Sequence, residues 1–126
     1  MSPQDVVDNI LDELNIHSQS EINDYLEEIV WTRGVIVREA KLEGAEARLT
    51  IVGNEAIATI SERVKNAHRR RFAIAHELGH FEMHRDKKEL FIDKHLRPWI
   101  TPRYRFEREA NEFDSAFLMP RKYFAL

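Results

Sequence analysis

The chain has 126 residues, 43% of them hydrophobic and 33% charged, with a formal net charge of -3. That length fits one compact domain spanning 1–126, and the slight acidity gives no global attraction to nucleic acid. There is no cysteine, which excludes disulfides and thiolate metal sites, so any zinc must be held by nitrogen and oxygen.

The start, MSPQDVVDNILDEL, is acidic and amphipathic, which excludes a secretory signal. Ser2, Pro3 and Asp5 form a helix start: a capping serine, proline at the first helical position and acid in the first turn. Val6, Val7, Ile10, Leu11 and Leu14 then recur at helical spacing. A second helix is predicted from Ser20, with Ile22, Tyr25, Leu26, Ile29 and Val30 inward, and Gly34 stops it. From Val35 to about Ser61 the segments VIVREAKL, AEARLTIV and EAIATIS read as strands, rich in β-branched residues and roughly alternating. Turns fall at Glu43-Gly44 and at Gly53-Asn54, the second a two-residue hairpin signal. Helix returns with Asn66 as cap and runs to about His84. Residues 85 to 102 hold two prolines and the apolar run LFI, a long loop with one short strand. A last helix spans about Arg103 to Met119 and ends at Pro120. No apolar run approaches the ~20 residues of a membrane span, so a soluble, cytoplasmic protein with no membrane partner is expected.

The stretch AIAHELGHFEMH carries the chemistry. His76, Glu77 and His80 stand in the order H-E-x-x-H, and on a helix the two histidines lie one turn apart on the same face, able to reach one cation. The intervening glutamate is then no ligand but the general base toward the attacking water. Phe72, His76, Gly79, His80 and Met83 share a face, so the histidines point inward. Gly79 costs about 1 kcal/mol against alanine within a helix. A close approach beside the histidines would explain it, by a metal and the element bringing its third ligand. The bland alternative is two satisfied core histidines and an accidental glycine.

A catalytic zinc needs a third protein ligand. The acidic candidates are Glu107, Glu109, Glu112 and Asp114 in the last helix, whose buried face is Phe106, Ala110, Phe113 and Phe117. Glu112 points away, while Glu107 and Glu109 flank the buried face on opposite sides. The helical wheel does not choose between them.

RRRFAIAHELGHFEMH followed by EREANEFDSAFLMP resembles the ImmA/IrrE family of zinc metallopeptidases, and LTIVGNEAIATISERV resembles the hairpin that leads into that family's motif helix. The resemblance covers about residues 45 to 122. It implies an α+β, zincin-like domain: a small antiparallel sheet packed with N-terminal helices, an H-E-x-x-H helix and a C-terminal ligand helix. It implies Zn²⁺ on His76 and His80 with Glu77 as base, the third ligand at Glu107, and Asn111 supporting the site from behind. Asp114 departs from the small residue usual there. Many members continue further, so a chain stopping at Leu126 is a minimal or a truncated one.

The implied activity is a zinc-dependent endopeptidase that cleaves a helix-turn-helix repressor encoded nearby and so relieves repression. The alternative is a zinc-dependent regulatory module that binds a repressor or a toxin–antitoxin partner without cutting it, a role with no use for Glu77. Direct DNA binding through His68-Arg69-Arg70-Arg71 ranks last in a net-acidic chain. Those arginines either pair with surface acids or anchor a substrate carboxylate. His84 either orients the site or complements the helix dipole. His68, His95 and Tyr104 are unranked candidates for an oxyanion stabiliser. Trp99 is either a wall of the substrate site or a loop anchor.

Overall fold

Ser2 caps the first helix as its pattern requires: its hydroxyl accepts from the Asp5 amide, and the Asp5 carboxylate accepts from the Ser2 amide. The computed structural model describes residues 1–94 and 104–123, and this helix, α1 (Pro3–Glu13), buries Val7, Ile10 and Leu11. The single second helix expected from Ser20 is instead two short ones, α2 (Gln19–Asp24), capped by Ser18, and α3 (Leu26–Thr32). Tyr25 sits between them at φ -123°, ψ 28°, and is 58% exposed rather than inward. Pieces of six and seven residues have little helical stability of their own. The break turns Ile22, Leu26, Ile29 and Val30 all into the core and leaves Tyr25 outside. Gly34, at φ +104°, ends α3; a Cβ there would stand 3.1 Å from the Asn54 carbonyl oxygen.

Four strands follow: β1 (Val35–Ala40), β2 (Ala47–Val52), β3 (Glu55–Ser61) and β4 (Leu90–Asp93), in the order β1-β3-β2-β4. The Gly53-Asn54 hairpin forms as expected, with Val52 opposite Glu55. The sheet is mixed and not simply antiparallel, because β1 pairs with β3 in parallel. The chain reverses between β1 and β2 and again between β2 and β3, so β1 and β3 point the same way. β2 already has β3 on one side and β4 on the other, and β1 takes the free edge of β3, where it runs parallel.

Asn66 caps α4 (Ala67–His84), its side chain accepting from the His68 and Arg69 amides. Residues 73–81 of this helix are buried on every side. The inner face of the sheet (Leu49, Ile51, Ala58 and Ile60) packs on one side of α4. The last helix, α5 (Arg105–Leu118), covers the other, with α1 lying against it. Beyond it a 3-10 turn (Arg121–Tyr123) is clasped to α1 by Arg121 with Asp8 and Lys122 with Asp12. Arg33 ties the end of α3 to α4 and α1 through a forked pair with Glu82 and a contact to Glu13. Among the described residues no helix is long and apolar enough to cross a membrane.

Candidate metal centre

The two motif histidines aim at one point because α4 is buried between the sheet and α5, and each neighbour brings a carboxylate. From α5, Glu107 places Oε2 3.0 Å from His76 Nε2 and Oε1 3.0 Å from His80 Nε2. Only the contact to His76 has hydrogen-bond alignment; His80 Nε2 stands near an acceptor without being bonded to it. From β4, Asp93 Oδ1 lies 3.3 Å from His76 Nε2 and 3.6 Å from His80 Nε2. One donor atom from each of these four residues falls within 4.8 Å of the other three.

Glu109, the alternative on the wheel, lies elsewhere: its Oε1 is 3.1 Å from His84 Nε2. The packing of α5 on α4 separates the two. A Cβ on Gly79 would stand 3.0 Å from the Phe113 ring, so the glycine lets the helix that carries Glu107 come close. The close approach inferred from Gly79 is therefore that of α5.

Outer contacts orient both histidines. His76 Nδ1 donates to Asp114 Oδ2 at 2.9 Å, which accounts for a buried acid where the resembled family has a small residue. Asn111, expected in this supporting place, faces a surface groove beside Glu112 and Ser115. On the other side, His80 Nδ1 is 3.0 Å from His84 Nδ1. Glu109 can only accept, so His84 Nε2 donates to it, its Nδ1 accepts from His80, and His80 Nε2 is left as a bare lone pair. His84 is thus part of the site rather than a solvated helix-end charge. Phe91 stacks on the His80 ring, with centroids 4.2 Å apart.

Burial dominates the electrostatics. The Glu77 carboxyl is pushed well above its usual range by desolvation and by neighbouring Asp93. Burial alone would also raise Asp93, but Glu77, His76 and His80 hold it well below the usual carboxylate range. Burial opposes a charge on His76, yet Asp114, Asp93 and Glu107 raise its pKa. Burial and the neighbouring His80 lower that of His84, against the pull of Glu109. Asp114 is raised to about 7, chiefly by burial.

The donor set fits a cation. Among the described residues, both oxygens of Glu77, both of Asp93 and His80 Nε2 are buried without a hydrogen-bond partner, a costly arrangement for polar atoms unless something of opposite charge joins them. Donors about 2.0–2.1 Å from a tetrahedral zinc stand roughly 3.3–3.4 Å apart, close to the spacings around His76 and His80.

Asp93 is the residue that sequence reasoning missed. Its signal was present: it has the same strand parity as Phe91, so an inward Phe91 carries Asp93 inward with it. The oxyanion candidates that the structure describes, His68 and Tyr104, are exposed. His68 is exposed at the start of α4, about 12 Å along the axis from His76, and bonds Arg71. Tyr104, three residues before Glu107, is 69% exposed. His95 and Trp99 lie outside the described residues. Arg69 pairs with Glu46, and Arg70 with Glu27 and Glu39, as solvated surface charges do.

Residues 33–126 match the peptidase M78 family, described as the IrrE N-terminal-like domain. No curated protein matches the chain. The match covers well over half of the sequence, and the chain belongs to that family of metallopeptidase-like domains.

Proposed function

We propose that this member of the IrrE-like peptidase family is a zinc-dependent endopeptidase, with His76, His80 and Glu107 holding the metal and Glu77 as general base. The observation that carries the reading is the convergence of both histidine Nε2 atoms on Glu107 at 3.0 Å, beside a buried Glu77 with no hydrogen-bond partner among the described residues. When bound, Zn²⁺ supplies Lewis acidity that polarises a scissile carbonyl and acidifies a water. Asp114 and the His84–Glu109 pair hold the two imidazoles in the orientation that leaves Nε2 forward. Glu77 takes the proton of the water that attacks the carbonyl carbon and passes it to the amine nitrogen as the C–N bond breaks. Burial and Asp93 raise the Glu77 carboxyl in the metal-free site, and a bound cation would lower it again toward the ionised form that a base needs.

The substrate in this proposal is a helix-turn-helix repressor encoded nearby, cut to relieve repression in the cytoplasm. Incubation with that repressor, with and without Glu77→Gln, tests it. The substituted protein should keep its metal and its grip on the repressor while cleavage falls at least ~10²-fold. The crowding of a second carboxylate, Asp93, against the histidines favours the competing reading, a metal-dependent binder that does not cut. Derepression in cells that survives Glu77→Gln at the wild-type level, with no fragment on the gel, would establish that reading instead.

A further inference from the structure

We propose that Asp93 is a fourth protein ligand at this centre, so that the site rests closed and opens only when substrate or water displaces the Asp93 carboxylate. The inference rests on the metal-dependent reading above and adds the state in which the site waits.

Position is the first argument. Asp93 Oδ1 is nearly equidistant from the two histidine Nε2 atoms, at 3.3 and 3.6 Å, as a donor sharing their focal point must be. Its approach is from the sheet, whereas Glu107 comes from α5, so the two carboxylates do not compete for one side. Backbone geometry leaves Asp93 little choice. Its carbonyl accepts from the Glu46 amide at 2.9 Å, it pairs with Ala47 across the ladder, and Phe91 two residues earlier is pinned under the His80 ring.

Partners are the second argument. Glu109 is engaged by His84 and by Arg105, and Asp114 by His76 Nδ1. Asp93 is 3% exposed, and neither oxygen has a hydrogen-bond partner among the described residues. Charge is the third: the carboxylates of Glu107 and Asp93 together match the two charges of a dication held between neutral histidines. Structural zinc sites are closed by four protein donors, while catalytic ones keep a position open. Four donors here make the resting state closed, and a peptidase must then move Asp93 aside or expand its coordination as the substrate enters.

The test uses metal-stripped wild type, Asp93→Asn and Asp93→Ala, loaded with Zn²⁺ or Co²⁺. Loss of an outer supporting contact weakens metal binding by roughly 10–100-fold, so loss of a ligand should exceed ~100-fold in a chelator competition. The rise in melting temperature on adding zinc should shrink in both variants, whatever the substitution does to the metal-free protein. Acetohydroxamate should change the visible spectrum of Co²⁺-loaded Asp93→Ala at concentrations that leave wild type unaltered. A loss within the outer-contact range makes Asp93 an orienting neighbour and overturns the proposal. A wild-type Co²⁺ spectrum that responds to acetohydroxamate as readily as the variant's overturns it too, and wild type alone shows an open position even if a variant fails to fold. Wild type that takes up no stoichiometric metal would overturn this inference and the metallopeptidase reading together.

Discussion

Phe113 lies so close over Gly79 that a methyl group there would stand 3.0 Å from the ring and 3.1 Å from the Phe113 Cβ. The glycine is the point at which α5 settles onto α4, and through it the position of Glu107 relative to His76 and His80.

Gly79→Ala therefore sets two effects against each other. Alanine is favoured in a helix by up to about 1 kcal/mol. Overpacking of this kind costs about 1–3 kcal/mol, and the clashing atoms belong to the base of a buried ring that cannot swing away. The net expectation is a loss of up to about 2 kcal/mol in denaturant unfolding, together with weaker metal binding as Glu107 is pushed back. A more stable variant with unchanged affinity would show that α5 shifts freely.

Glu107→Ala should weaken zinc far more than Glu109→Ala. The first removes a carboxylate 3.0 Å from both histidines, and the second only the acceptor behind His84. For Glu109→Ala the loss should stay within roughly 10–100-fold. Chelator competition on both variants checks the order, and the reverse order would reassign the ligand to Glu109.

Asp114 gives the metal-free protein a pH signature. Burial holds its carboxyl at about 7, against 3.8 for the free group. Between those values the folded state keeps a proton that the unfolded chain has lost, so this contribution to stability declines as pH rises from about 4 to about 7. Asp114→Asn, which cannot ionise, should flatten that decline when unfolding is followed in chelator. An unchanged slope would mean that Asp114 is ionised throughout.

Arg33 and Arg69 offer a contrast between two kinds of ion pair. Arg33 grips Glu82, whose side chain is 6% exposed, with a fork of 2.7 and 3.0 Å. Arg69 meets Glu46 at the surface. Arg33→Ala should cost about 1.5–3 kcal/mol, the range for hydrogen bonds to charged groups. Arg69→Ala should cost less than about 1 kcal/mol, and high salt should reduce only the second. Equal costs in urea titrations would mean that burial of Glu82 contributes nothing.

Several features are encoded by a few neighbouring residues. Ser2 with Asp5, Asn66 before its helix, the Gly53-Asn54 hairpin and the one-turn spacing of His76 and His80 are all settled within about five residues of chain. The family, too, was legible, because its two motifs lie in continuous stretches. The tertiary structure decided wherever the deciding partner is distant. Glu107 and Glu109 are equivalent on an isolated helical wheel, and only the contact of Phe113 with Gly79 rotates one of them toward the histidines. Tyr25 satisfies the helical period, but burying its four aliphatic neighbours required breaking the helix beside it. The parallel pairing of β1 follows from its place at the free edge of β3. Asp93 lies in a four-residue strand too short for its pattern to stand out, and it joins the centre because β4 pairs with β2, some forty residues earlier in the chain. Spacing along the chain brings together groups one helical turn apart; bringing a third and a fourth carboxylate to the same point requires the sheet and the helices to close around them.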